Sequence, residues 1–207
     1  SNIMWKVFFF LIVLLVICLN QPLKEYLFEG YGHVNNEKNS NSIKEHGEIK
    51  NIYGEKLKQC RHKHQPDNRG SWSNDGFCDE MDGGVHQICV NVDKTENFSK
   101  NTGQGPWSEE RKGKNHCMCL GAWALYKARQ DKGETTETSD ELKCESIPET
   151  ALNPRYITKW STWNGKELPN QIINGVNAIY EQCGKQANVE QKAYLDNLYD
   201  NITNLIN

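Results

Sequence analysis

The chain has 207 residues, in which 24 Lys and Arg side chains against 27 Asp and Glu give a formal net charge of −3. Balanced charge provides no basic field for phosphates and no acidic field for cations, so we expect no nucleic-acid partner. With an apolar N-terminal run and a polar segment set aside, roughly 140 residues remain, which is enough for one folded domain.

An apolar run begins at Val7 and ends at Leu19, with Lys6 before it and Pro22 shortly after it. It is shorter than the about 20 residues that cross a bilayer and suits the apolar core of a signal peptide. No good small-residue cleavage site follows it, which favours an uncleaved anchor. Residues 1–22 are therefore predicted to be a signal anchor or a signal peptide. The anchor would make a single-pass membrane protein with a lumenal or extracellular domain, and the cleaved peptide a secreted one.

Residues 23–58 are polar and rich in Asn, Glu, Lys and Ser, which predicts a stalk or linker. A loosely packed extension on the domain surface is the alternative. Residues 59–207 are expected to form a cysteine-rich α+β domain with a C-terminal helical extension.

Strands and helices alternate irregularly along this domain. Imperfect apolar alternation predicts a strand over residues 85–93, with His86 and Cys89 on opposite faces. Glycine and proline in residues 101–114 predict a long loop that Trp107 anchors in the core. Apolar positions spaced by three and four, together with the stem of Lys127, predict a helix over residues 119–129.

The C-terminal part is predicted to contain a short strand and two helices. The strand covers residues 142–147, before Pro148. Pro169 can open a helix that ends at Cys183, and a last amphipathic helix covers residues 189–206. Without a βαβ rhythm, these elements predict the α+β class, with a small mixed sheet, packed helices and two C-terminal helices after the N-terminal hydrophobic segment.

Eight cysteines are present, and Cys18 lies in the apolar run. The other seven are an odd number in a chain predicted to enter the secretory route, so one thiol should remain unpaired. The single residue between Cys117 and Cys119 disfavours a bond between these two. We expect a disulfide between Cys144 and Cys183, which would join the C-terminal helices to the sheet.

The candidate site is a cluster of four cysteines and one histidine: Cys78, Cys89, Cys117, Cys119 and His86. Structural disulfides are the first interpretation, because the predicted compartment is oxidising. Zinc held by these thiolates, with His86 or His116, is the second, although paired Cys-x-x-Cys elements are missing. A reactive thiol activated by a histidine is the third. Apart from that zinc alternative, no cofactor is predicted.

Other sequence signals are few. The triplets Asn97-Phe98-Ser99 and Asn201-Ile202-Thr203 predict glycosylation of Asn97 and Asn201 in a lumenal or extracellular body. The chain has no Gly-x-Ser-x-Gly elbow, no His-Glu-x-x-His and no glycine-rich loop between strand and helix, so no catalytic residue is predicted.

A series of motifs follows in order between Asp75 and Leu152. The matching positions are Gly76 and Cys78; Asp82, Gly84, His86 and Cys89; Phe98, Ser99 and Lys100; Gly113, Cys117, Cys119 and Trp123; and Glu149, Ala151 and Leu152. In these residues the chain resembles an uncharacterised, largely bacterial family catalogued as domain of unknown function twenty-two thirty-seven. The resemblance implies a small α+β fold and a cluster of four thiols, and it carries over no catalytic residue. Since its bacterial members are expected to be cytosolic, similar thiols there would not be disulfides, which favours the metal interpretation.

The sequence thus predicts a membrane-anchored or secreted cysteine-rich domain that serves as a structural or protein-binding module in a larger cellular or viral assembly. Its expected partners are the membrane, through Val7 to Leu19, and other proteins. Trp160 and Trp163 are expected to be exposed and could form a contact surface, with ordinary core residues as the alternative. The alternative is a metal- or thiol-dependent enzyme that uses the four-cysteine cluster.

Overall fold

A computed structural model describes residues 49–61, 76–79, 85–95, 97–135, 141–163, 166–167 and 169–206. The predicted leader from Val7 to Leu19 and most of the predicted stalk lie outside these ranges. Within them, no helix combines the length and the hydropathy that a membrane span requires.

The segment of residues 49–57 belongs to the folded body. Ile52 is fully buried and its N–H donates to the carbonyl of Ile147 at 3.0 Å, while Leu57 is also buried. Asn51 closes the turn, because its side-chain oxygen accepts from the backbone N–H groups of Tyr53 and Glu55. The prediction of a linker up to residue 58 is therefore wrong at its C-terminal end. Apolar residues without regular spacing enter the core here, so the segment has no periodicity by which to recognise it.

Two antiparallel strands form the central hairpin: β1, His86–Asn91, and β2, Asn115–Cys119. The predicted strand over residues 85–93 corresponds to β1. The sequence does not predict strand β2, because all five of its residues are buried and apolar and polar residues do not alternate there. The predicted strand over residues 142–147 is instead a 3₁₀ helix, Cys144–Ser146, and Leu142 contributes only an isolated bridge to Val90.

The region between the two strands is partly helical rather than a continuous loop. It contains a 3₁₀ turn, Val92–Lys94, and two short helices, α1, Phe98–Asn101, and α2, Trp107–Glu110. Trp107 is half buried and its ring centroid lies 5.9 Å from that of Phe98. It thus anchors this region, as predicted.

Helix α3, Leu120–Asp131, forms the centre of the body. Leu120, Trp123, Ala124 and Tyr126 are fully buried, so neighbours surround the helix on most sides. A 3₁₀ turn, Glu149–Leu152, leads into helix α4, Pro154–Trp160. Asn153 caps α4 by accepting from the N–H of Arg155, with proline at the first helical position.

The two C-terminal helices agree with the prediction. Helix α5, Pro169–Gln186, packs on α3, and helix α6, Val189–Ile206, follows it. A two-residue hairpin of β3, Thr162–Trp163, and β4, Lys166–Glu167, precedes α5. Helices around a small antiparallel hairpin confirm the α+β class.

Candidate functional site

Three disulfides cross-link the described body. Cys60 is bonded to Cys89 with an S–S distance of 1.95 Å, and Cys78 to Cys117 at 2.12 Å. Cys144 and Cys183, the pair expected from the sequence, are bonded at 2.01 Å.

The first two disulfides lie side by side on the central hairpin. Cys89 and Cys117 face each other across β1 and β2. The carbonyl of Cys89 accepts from the backbone N–H of Lys143 at 3.0 Å and therefore points away from β2. Residues 89 and 117 are therefore a non-hydrogen-bonded pair, whose Cα atoms lie about 4.5 Å apart. Each of the two strand cysteines forms its disulfide with a cysteine of a separate segment, Cys89 with Cys60 and Cys117 with Cys78.

The sulfur atoms of these two bridges form one group. Those of Cys60, Cys78 and Cys89 lie within 4.8 Å of one another, and Cys117 is bonded to Cys78. The N–H of Cys60 donates to the carbonyl of Gly76 at 2.6 Å, which brings the two outer segments together. We call Cys60, Cys78, Cys89 and Cys117 the sulfur cluster.

The predicted cluster differs from the sulfur cluster by one cysteine. The predicted cluster includes Cys119, which is buried and forms no disulfide. It is the thiol left over among the described cysteines. Cys60, which was not included, takes its place. It lies next to the polar segment, 29 residues from its partner, and nothing in its local sequence marks it as part of the cluster.

His86 is half buried at the start of β1. A register shift occurs between His86 and Ile88, so that His86 lies across from Cys119. This irregularity breaks the alternation on which the prediction relied. The separation of His86 and Cys89 onto opposite faces therefore no longer follows from their spacing.

His116 lies in β2 and is buried. A guanidinium nitrogen of Arg111 lies 3.0 Å from its ring nitrogens, and the Trp107 ring centroid is 4.8 Å from that of the imidazole. Burial, and then the charge of Arg111, lowers the pKa of His116 well below 6.5. As the strand neighbour of Cys117 it projects to the opposite face. His116 is thus a neutral core side chain and no ligand of the sulfur cluster.

A second polar group in the core was not predicted. The carboxylate of Glu141 is fully buried and accepts from three side chains: Gln130 at 2.6 Å, Gln182 at 2.9 Å and Lys127 at 3.4 Å. We call these four residues the Glu141 cluster. The one signal in the sequence was the position of Lys127 on the apolar face of α3.

The two sequons lie in different environments. Asn97 is half buried before α1, and the hydroxyl of Ser99 is buried 2.8 Å from that of Ser108. Asn201 is exposed on α6. Glycosylation of both asparagines remains a prediction.

The aromatic stretch near residue 160 is only partly exposed. Trp160 is half buried and packs against the core, with the Lys159 ammonium 4.7 Å from its ring centroid. The expectation of an exposed Trp160 is corrected accordingly, and the side chain of Trp163 lies outside the described part.

Comparisons of the chain with protein-family models, with curated proteins and with solved structures found no match. The function must therefore be argued from the geometry of the body itself.

Proposed function

We propose that the chain is a disulfide-locked structural or protein-binding module of a larger cellular or viral assembly. In this proposal the segment from Val7 to Leu19 holds it at a membrane, or directs its secretion and is then removed. The folded body lies on the lumenal or extracellular side.

The observation that carries the proposal is the placement of the three bridges. They tie the segments of residues 49–61 and 76–79 to the central hairpin, and the 3₁₀ helix at Cys144 to α5, over separations of 29, 39 and 39 residues. Crosslinks of this kind stabilise a fold mainly by restricting the unfolded chain. Disulfides persist in oxidising compartments, which supports a body outside the cytosol.

The burial of the sulfur atoms supports a structural role for them. All four residues of the sulfur cluster are at most 2 % exposed, and the unbridged Cys119 is also buried. A reactive cysteine needs a thiolate that a substrate can reach. In the folded body these sulfurs are therefore placed to hold segments together.

The position of Trp160 supports a protein-contact surface that includes this residue. Its half-buried ring rests on the core, so an interface formed there would lose little side-chain entropy. In the described part of the chain, Val189 is the large apolar residue that stays mostly exposed, at 87 %. It provides a matched position for comparison.

The proposal can be tested by photo-crosslinking of the full chain produced in secreting cells. A photoreactive amino acid replaces Trp160 in one variant and Val189 in the other. We expect position 160 to give a discrete adduct with another protein or a second copy. Unfolding the chain in urea with a reductant before illumination should abolish this adduct, because the surface depends on the folded body.

The comparison of the two positions decides the outcome. Position 189 should give no discrete adduct, since it is exposed but not part of the proposed surface. The absence of any adduct from position 160 in native membranes or medium would contradict the proposal. The same adducts from both positions would contradict it as well, because they would indicate unspecific encounters.

A further inference from the structure

The sulfur cluster brings the side chains of four cysteines together, as a four-thiolate metal site requires. We propose that Cys60, Cys78, Cys89 and Cys117, once reduced, bind one Zn²⁺ in a tetrahedral four-thiolate site. This inference does not depend on the proposed function, because it concerns the reduced chain and not the partner of the oxidised one.

Three of the sulfurs, those of Cys60, Cys78 and Cys89, lie near the spacing of a zinc site, and the sulfur of Cys117 is bonded to that of Cys78. With Zn–S bonds of about 2.3 Å, the sulfurs of a tetrahedral site lie about 3.8 Å apart. In the structure the bonded pairs are separated by 1.95 and 2.12 Å, and the sulfurs of Cys60, Cys78 and Cys89 all lie within 4.8 Å. After the two S–S bonds are broken, side-chain rotations can therefore bring the four sulfurs to the spacing of a tetrahedral site.

The backbone that carries the ligands is held by more than the disulfides. Cys89 and Cys117 are fixed by the ladder between β1 and β2. Lys143 donates to the carbonyl of Cys89, and the N–H of Cys60 to the carbonyl of Gly76. The backbone N–H of Lys58, two residues before Cys60, also donates to the carbonyl of Glu145 at 3.0 Å. These hydrogen bonds can keep the four cysteines together after reduction.

The conversion is balanced for atoms and electrons. A dithiol reductant supplies two electrons and two protons to each S–S bond and becomes a disulfide itself. The four resulting thiols then lose their protons to solvent as four Zn–S bonds form. Thiolates are the preferred ligands of structural zinc sites, and a four-sulfur set needs no histidine.

The structure selects these four ligands over the set expected from the sequence. Cys119 is unbridged, but its Cα partner across the hairpin is His86 and not a member of the sulfur cluster. The ring of His116 is beside the Arg111 guanidinium, and a cation there disfavours a second cation. Cys60 therefore replaces Cys119 as the fourth ligand.

The test uses Co²⁺ as a spectroscopic probe on the full chain. The protein is reduced without oxygen and titrated with Co²⁺, and then with Zn²⁺ as a competitor. We expect one Co²⁺ per chain, with the sulfur-to-cobalt charge-transfer and d–d absorption of a tetrahedral four-thiolate site, and full displacement by Zn²⁺. Absence of stoichiometric binding would overturn the proposal.

Two serine variants identify the ligands. Cys60→Ser should weaken Co²⁺ binding by more than about 100-fold, because loss of an outer-shell partner alone costs about 10- to 100-fold. Cys119→Ser, two residues from a ligand, should leave affinity and spectrum unchanged. The proposal fails if Cys119→Ser removes the spectrum or if Cys60→Ser keeps it.

A second measurement covers the case in which Cys60→Ser does not fold. Mass-spectrometric mapping of alkylated thiols in the reduced wild-type chain, with and without Zn²⁺, compares protection at each cysteine. We expect zinc-dependent protection of the sulfur cluster and none of Cys119, Cys144 or Cys183. Any other protected set, or the same protection in urea, would overturn the proposal.

Discussion

At the scale of single residues, Glu141 depends on the three side chains that reach its carboxylate. This carboxylate is fully buried, and Lys127, itself only 6 % exposed, supplies the single opposite charge among the three donors. A charge taken out of water is costly unless it is paired and hydrogen-bonded. Loss of one partner of this ion pair would therefore change the free energy of unfolding by more than the intact pair contributes to it.

We predict that Lys127→Met lowers the free energy of unfolding by about 3–5 kcal/mol, because it leaves the Glu141 carboxylate buried without a counter-charge. Urea unfolding of the oxidised protein measures the effect. Lys132→Met is the matched control, since Lys132 is exposed just after the same helix. Its change should stay within about 0.5 kcal/mol. A Lys127 variant as stable as this control would refute the assignment.

A second prediction at this scale concerns pH. Since burial and Arg111 lower the pKa of His116 in the folded state, the unfolded chain binds more protons below about pH 6.5. The contribution of His116 is thus fully present above pH 6.5 and is lost as the pH falls. From pH 7 to 5, stability should decrease by at most about 1.4 kcal/mol per pH unit through this group.

The pH effect is measured as the difference between the wild type and His116→Gln. The glutamine oxygen can still accept from Arg111, but the side chain cannot bind a proton. The variant should therefore show a shallower decrease in unfolding free energy on acidification. Parallel curves for the two proteins would show that His116 is not kept neutral.

The cysteines illustrate what can be predicted at the residue scale. Cys144 and Cys183 could be paired because both lie outside the dense cysteine segment, one near the start of a predicted strand and the other at the end of a predicted helix. The odd count of cysteines required a free thiol. The place of Cys60 could not be predicted. It depends on a turn at residues 49–57 that enters the core through Ile52 and Leu57, and neither residue lies in a periodic pattern.

At the scale of elements, helices α3 and α5 pack closely against each other at Gly175 and Ala124. A Cβ atom at Gly175 would lie 2.8 Å from the Cα and Cβ of Ala124, and the Trp123 indole N–H donates to the Gly175 carbonyl at 3.0 Å. The glycine thus permits the two backbones to approach. It also lets the largest buried aromatic ring of α3 satisfy its polar atom.

We predict that Gly175→Ala lowers the free energy of unfolding by about 1–3 kcal/mol, because the helices must move apart. Gly184→Ala in the same helix is the control. There a Cβ meets only the flexible end of Lys192, at 3.1 Å, and alanine favours the helix by up to about 1 kcal/mol. Urea unfolding of both variants decides the point. A stabilised Gly175 variant would contradict the packing described here.

The elements also differ in how well their sequences reveal them. Helix α6 agrees with its prediction because one face is apolar and the other polar at helical spacing. Strand β2 was missed because both of its faces are buried, which removes the alternation that marks a strand. An element near the site that is buried on all sides therefore has no periodic pattern by which its sequence could be recognised.

At the scale of the whole molecule, the disulfides determine how firmly the body is held together. The Cys144–Cys183 bridge closes a loop over a separation of 39 residues and joins the 3₁₀ helix beside the hairpin to α5. The entropy of closing such a loop corresponds to roughly 4 kcal/mol. This is a large part of the 5–15 kcal/mol, on the order of magnitude, by which domains are stable.

We predict that replacing both Cys144 and Cys183 with alanine lowers the free energy of unfolding by about 2–4 kcal/mol. The other two bridges should remain, since each joins the hairpin through Cys89 or Cys117 and neither includes residue 144 or 183. Denaturant unfolding combined with a count of free thiols measures both effects. Additional free thiols in the unfolded variant would contradict the independence of the bridges.

The connectivity itself can be tested most directly by cleavage at methionine. Of the three methionines, Met81 lies between Cys78 and Cys89, and Met118 separates Cys117 from Cys119. Cyanogen bromide under non-reducing conditions should release residues 119–207 with an internal disulfide and one free thiol. The fragment ending at Met81 should remain joined to residues 82–118, and tryptic digestion of that product should give the pairs Cys60–Cys89 and Cys78–Cys117. If residues 119–207 stayed attached to the rest until reduction, or if the tryptic pairs were different, the disulfide-locked body described here would be contradicted.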